Sequence, residues 1–161
     1  MKVYRVEREK YIETTLTGIG ASMTDGFRWN SLFTRLVYTS ESRALAMLEV
    51  FVHMDLSEDL PADRILVEIF IPDNLIIQEV KTEDLPKGWD AKPPAVITQA
   101  IGDDFVIQKT ALILKVPSCI VPDEYNYLIN PYHEDISMLK ILSTAPLTFD
   151  KRLGLTDNFS K

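Results

Sequence analysis

Between Ala44 and Val52 the chain reads ALAMLEVFV, eight apolar residues and one glutamate. A helix of this composition is apolar nearly all round, so it belongs at the centre of a core rather than on a surface. Glu49, its lone polar residue, is then not simply solvated. A buried carboxylate without a partner is expensive, which leaves three states: protonated, paired, or facing a cleft. His53 lies four residues on, along the same helix face, and is one available neighbour. A structural ion pair with an arginine is another, since such pairs also perturb carboxylates.

The flanking segments supply strands for this helix to pack on. Val3 to Val6 reads as an opening strand and RLVYTS at 35–40 as a second, both short and rich in β-branched or aromatic residues. RILVEIFIP sets Ile65, Val67, Ile69 and Ile71 against Leu66, Glu68 and Phe70, an alternation that buries one face fully before Pro72 ends it. NLIIQEV, ALILKVPSCIV and ISMLKILSTAPLTF are further strands. The first helix takes Thr39 or Ser40 as its cap and Glu41 at its positive end. A second begins near Pro93 and Pro94 and runs through AVITQAIGDDFVIQK, with Gly102 weakening its middle. Strands before, between and after two helices, without regular βαβ alternation, predict an α+β fold with a mixed or largely antiparallel sheet.

At 161 residues the chain fits one compact domain, with the polar end GLTDNFSK (154–161) free to fray. A formal charge of -7 argues against a face that neutralises a nucleic-acid backbone, while leaving room for a small anion held by a few arginines. The single cysteine, Cys119, excludes an internal disulfide, and with two histidines it cannot complete an all-Cys/His zinc site; no metal is expected. No run approaches a membrane span or a signal core, so a reducing cytoplasm is the expected location.

Several residues invite a chemical role and a structural one. GFRWN at 26–30 sets Arg28 between Phe27 and Trp29 and follows with Asn30. Arg28 either pairs with a carboxylate or grips phosphates with its planar fork. Trp29 alone is more often core than a stacking platform, and Arg5 in the first strand is by itself a solvated position. Tyr38 reads as a packing residue with a satisfied hydroxyl. Ser118 follows Pro117 at a strand end, without the Gly-x-Ser-x-Gly elbow of a hydrolase. TGIGAS at 17–22 lacks the third glycine of a dinucleotide fingerprint.

The order of the motifs is more informative than any one of them. YRV at 4–6, GIGA at 18–21, GFRWN, VYTSESRALAMLEVFVH at 37–53, VPS at 116–118, PDEYNYLINPYH at 122–133 and FDKRL at 149–153 together resemble the RES-domain family, over about residues 3–153. Members are commonly toxins of Xre-RES toxin–antitoxin pairs. The resemblance implies a domain similar to ADP-ribosyltransferase catalytic domains that cleaves the nicotinamide–ribose bond of NAD by phosphorolysis or hydrolysis. NAD is then the substrate, inorganic phosphate a co-substrate, and no further cofactor is needed. Transfer of ADP-ribose to a protein is a second implied activity, and a non-enzymatic nucleotide- or partner-binding module a third reading.

Carried over by motif, Glu49, Arg28 and Ser118 are the expected catalytic residues. Arg5, Arg28, Trp29, Asn30, Tyr38 and Asn126 are the expected NAD- and phosphate-binding residues. Phe27 departs from the pattern, standing where members commonly have a second glycine. The implied partner is an Xre-family antitoxin, with no direct nucleic-acid or membrane contact; a homo-oligomer is compatible with the sequence.

Overall fold

The computed structural model describes residues 1–24, 27–54 and 61–153. The frayed end expected at 154–161 therefore lies outside the described residues. Seven strands among them make one sheet: β1 (Lys2–Arg8), β2 (Val37–Ser40), β3 (Arg64–Phe70), β4 (Ile77–Glu79), β5 (Ile113–Pro117), β6 (Tyr125–Ile129) and β7 (Lys140–Leu147). Their order is β4-β5-β6-β2-β1-β3-β7. Only β4 and β5 run parallel, so the sheet is mixed, as the segment pattern predicts. Three α-helices join it, α1 (Ile19–Ser22), α2 (Arg43–Phe51) and α3 (Val96–Gln108). None is long and apolar enough to cross a membrane.

Strand alternation divides the core in two. Val3, Val37, Val67, Ile69, Ile113 and Ile129 form one buried cluster, and Leu114, Val116 and Leu128 join Trp29, Leu36 and Phe105 in the other. The second cluster lies beneath α3. That helix rests directly on the segment after residue 26: Gln99 Nε2 donates to the carbonyls of Phe27 (3.0 Å) and Asn30 (3.2 Å), and Asp103 accepts from the Ser31 amide (3.0 Å) and hydroxyl. Gly102 makes this approach feasible. A Cβ there would lie 1.6 Å from the Trp29 carbonyl oxygen, so the glycine that weakens the helix in sequence is required by packing.

The structure corrects three expectations. Ser42, whose Oγ accepts from Leu45 N at 3.0 Å, caps α2, because Thr39 and Ser40 are still in β2. α2 is not buried all round: only Leu45 and Ala46 are fully buried, and the residues from Met47 to Phe51 are half-buried. One side packs on the sheet, and Ala46, Val50 and Val52 line a cleft, which accounts for the excess apolar surface. Finally, β6 is a central strand that the segment analysis does not identify. In YNYLI, Asn126 interrupts the hydrophobic pattern, and Asn130 and Pro131 follow at once.

An ion-pair triad ties α2 to the sheet. Glu68 of β3, itself buried, bonds Lys2 Nζ and Arg43 Nη2, each at 2.7 Å. The hydrogen bonds from Lys2 and then Arg43 hold its carboxyl below the usual glutamate value of 4.5. With the folded value depressed, the unfolded chain binds more protons in this range, so the triad's stabilisation is complete above about 4.5 and is lost as pH falls through the folded value. In urea unfolding, the stability gap between the wild type and Glu68→Gln should therefore shrink as pH is lowered from neutrality through that window; a gap that stays constant would contradict the triad. Gly102→Ala should destabilise by roughly 1–3 kcal/mol or more, through overpacking against the Trp29 carbonyl. Gly20→Ala, with nothing within 4 Å of the new methyl, is its neutral control in a thermal melt.

Candidate active site

Register places a row of side chains across the sheet. Tyr4 of β1 is paired with Ser40 of β2, and Ser40 with Asn126 of β6, so three adjacent strands present these residues side by side. The join of β1 to β2 is narrow, a single residue pair. Next to it Arg5 Nη1 donates to the Tyr38 carbonyl at 3.0 Å, a side chain serving where a strand ladder would otherwise continue. Over this row opens a cleft of about 370 Å3, walled by α2 on one side and by Phe27, Tyr38 and the 92–94 segment on the other.

Glu49 projects into the cleft from α2, and a chain of polar contacts fixes it. Ser40 Oγ donates to Asn126 Oδ1 at 2.7 Å, and Asn126 Nδ2 donates to Glu49 Oε1 at 2.5 Å. Ser118 Oγ donates to the same oxygen at 3.1 Å and accepts from the amides of Ile120 (3.1 Å) and Val121 (3.2 Å). Glu49 Oε2 has no hydrogen bond among the described residues, and no cation pairs with the carboxylate there. Of the states open to Glu49 from sequence, the structure has the cleft-facing one. His53 lines the same cleft without a hydrogen bond to Glu49 among the described residues.

The arginines are engaged elsewhere. Arg5 gives Nε (3.1 Å) and Nη2 (2.7 Å) to Glu7 Oε2, which neutralises it. Arg28 donates through Nη1 to the carbonyls of Trp89 (2.6 Å) and Ala91 (3.2 Å), and through Nη2 to those of Asp90 (3.1 Å) and Ala91 (3.2 Å). Its guanidinium carbon lies 5.8 Å from the Trp89 ring centre. Neither of the roles sequence offers Arg28, a carboxylate pair or a free phosphate fork, describes this arrangement.

Trp29 and Asn30, expected to contact ligand, are almost wholly buried; Trp29 borders the cleft and Asn30 is not part of its lining. Trp29 is 2% exposed and packs in the core with its ring centre 6.1 Å from that of Trp89. Asn30 is fully buried, donating to the carbonyls of Ala21, Ser31 and Thr34 and accepting from the Tyr38 hydroxyl at 2.7 Å. Tyr38 Oη also accepts from the Trp29 amide at 3.1 Å, and burial pushes its pKa far above the usual tyrosine value. Its hydroxyl is thus committed to the loop, while its ring faces the cleft with Phe27 against it at 5.0 Å. Phe27 supplies a cleft wall where the resemblance leads one to expect glycine; Gly26 lies outside the described residues.

Sequence reasoning misses Ser40, which holds Asn126, and Lys92, which lines the cleft. The pairing of β2 with β6 would have linked Ser40 to Asn126, but β6 itself was not legible. Gly18 is structural: it has φ 65° at the start of α1, and a Cβ there would lie 2.8 Å from Leu36 N.

Comparison with known proteins agrees with this architecture. A chain of the M. tuberculosis MbcT–MbcA toxin–antitoxin complex superposes with a TM-score of 0.74 over 91% of this chain and 84% of its own, at 17% identity, a likeness of fold. The "Prs ADP-ribosylating toxin" of Sphingobium sp. (strain YBL2) is 44% identical over 146 residues, 89% of each chain. The "Toxin Res" of Photorhabdus laumondii is 38% identical over 147 residues, 88% of this chain and 92% of that one, and the "Toxin Res" of Yersinia enterocolitica is 37% identical over 155 residues, 95% and 99%. The RES domain model matches residues 2–150, and the chain belongs to the RES-domain family.

Proposed function

We propose that the cleft binds NAD and that the protein cleaves the nicotinamide–ribose bond, with Glu49 as the residue that stabilises the reacting ribose. The observation that carries this is the Glu49 carboxylate, with one oxygen held by Asn126 and Ser118 and the other open to an aromatic-walled cleft. When nicotinamide leaves with the bonding pair, positive charge develops on the ribose as an oxocarbenium centre. A fixed carboxylate is suited to that charge because its orientation is set before reaction. Asn126 and Ser118 position it, Ser40 and two backbone amides position them, and Tyr38 and Phe27 offer apolar faces to the nicotinamide end.

The cation is then captured by an acceptor. Inorganic phosphate gives ribose 1-phosphorylated ADP-ribose, water gives ADP-ribose with loss of a proton, and a protein nucleophile gives an ADP-ribosylated side chain. Phosphorolysis or hydrolysis needs only the cleft. Transfer to protein is the second reading, supported by the Sphingobium relative, which is named an ADP-ribosylating toxin. Nicotinamide release, measured with and without phosphate and with added acceptor proteins, separates these routes.

Glu49→Gln keeps the shape of the side chain and removes its charge. It should lower kcat for nicotinamide release by on the order of a hundredfold or more. Its melting temperature should stay near that of the wild type, because no ion pair is lost. Undiminished turnover in the folded variant would remove Glu49 from this role.

Control by a partner protein belongs to the same reading, supported by the toxin names of the relatives and by the toxin–antitoxin complex that shares the fold. The resemblance implies an Xre-family antitoxin in the cytoplasm, and covering the cleft would exclude NAD. Such a partner should raise the apparent KM for NAD and leave kcat unchanged when exchange is fast. It should also raise the melting temperature with its concentration. An adjacent Xre-like protein that binds tightly without altering turnover at any NAD concentration would defeat this mode of control.

A further inference from the structure

Binding a pyrophosphate needs cationic donors that are not already engaged. Glu7 accepts from two nitrogens of Arg5, whose third donates to the Tyr38 carbonyl. Arg28 makes four bonds through its two Nη groups, all to backbone carbonyls of residues 89–91. All four Nη hydrogens of Arg28 are taken, so its fork can grip phosphates only by releasing those carbonyls, while Arg5 keeps two N–H groups but has its charge offset by Glu7. Lys92 differs. Its side chain is exposed and lines the cleft, and among the described residues it is the only lysine or arginine of the lining without a hydrogen bond or ion pair. Its ammonium carries three N–H donors.

Lys92 also follows immediately after the three carbonyls that Arg28 holds. Trp89 anchors the same segment, its ring against the buried Trp29 and near the Arg28 guanidinium. The backbone that presents Lys92 is therefore tied down while the side chain is left to reach. Arg28 keeps its positive charge, since carbonyl dipoles do not neutralise it and no carboxylate pairs with it among the described residues. In a chain of net charge -7, Arg28 and Lys92 bring two positive charges to this wall of the cleft.

We infer that Lys92 is the phosphate-contacting cation of the cleft, and that Arg28 is a positioning residue that fixes the segment carrying it. This rests on the NAD reading above, and the contacted group is the pyrophosphate of the dinucleotide. Lys92 acts as a point charge at the cleft mouth, and it serves binding rather than the bond-breaking step at the ribose.

The test is steady-state nicotinamide release by wild type, Lys92→Gln, Lys92→Arg and Arg28→Lys, with melting temperatures recorded for each. Lys92→Gln should raise the KM for NAD about tenfold, the effect of losing one charge-assisted contact, with kcat within about twofold and the melting temperature unchanged. Lys92→Arg should restore most of the affinity. Added salt should raise the wild-type KM more than that of Lys92→Gln, because the contact is solvent-facing and screened. Arg28→Lys should lower the melting temperature along with the affinity, since it loosens the 89–91 segment. Active wild type with an unchanged KM in Lys92→Gln overturns the assignment of Lys92 alone. A raised KM in Arg28→Lys at an unchanged melting temperature, with Lys92→Gln silent, returns the phosphates to Arg28. Wild type that releases no nicotinamide under any acceptor condition brings down the NAD reading, and this inference with it.

Discussion

The approach of α3 to the backbone at Trp29 governs the rest of the cleft. With Gly102 in contact with a carbonyl, the helix can hold the 27–31 segment through Gln99 and Asp103. That segment then orients three side chains in different directions: Trp29 into the core, Asn30 beneath the wall, and Arg28 out to the 89–91 carbonyls. A loop of this length held only by its own turns would have no reason to keep an arginine, a tryptophan and an asparagine in fixed directions. Here the Arg28 fork, the Trp29 amide, the Asn30 side chain and Ser31 all have partners, so the loop is specified largely by the requirement that buried donors and acceptors be satisfied.

The same requirement acts on the other side of the cleft. Ser40 and Asn126 are buried on adjacent strands, and their side-chain bond would be a structural detail if Asn126 did not pass its remaining donor to Glu49. The backbone amides of Ile120 and Val121 meet Ser118, and Ser118 meets the same carboxylate oxygen. Rigid backbone thus reaches Glu49 from two directions, through the sheet and through the turn after β5. Among the described residues what remains free is Oε2, and a carboxylate anchored on one oxygen presents the other without having to reorganise.

Much of the frame was legible in the sequence, for physical reasons that differ by element. β3 announces itself because Val67, Ile69 and Ile71 alternate with residues of the opposite face, and α3 because its start is marked by Pro93 and Pro94. β6 was not legible: its Asn126 faces a polar network, and a polar residue in a central strand reads like a loop. In the site, Glu49 stood out as one charge in an apolar run, and Ser118 and Asn126 followed only from the family motif. Ser40 carried no signal, since its importance lies in its pairing with Asn126 across 86 residues. Arg28 shows the limit most clearly: nothing local in GFRWN indicates that its fork will be taken up by carbonyls about sixty residues away.

The half-buried state of α2 ties these threads together. Its apolar residues exceed what the sheet can cover, and Ala46, Val50 and Val52 extend the surplus along the cleft beside Glu49. In water that surface is unfavourable, but a flat aromatic ligand lying on it would remove it from solvent and exclude water from around the carboxylate. Both consequences act in the same direction, since a charge in a drier site interacts more strongly with a developing opposite charge. The composition that makes the helix look like core in sequence is therefore also what would give a cleft carboxylate its leverage under the proposed reaction. It further explains why the carboxylate needs Asn126 and Ser118: a polar oxygen on such a surface loses hydration, and their hydrogen bonds replace it.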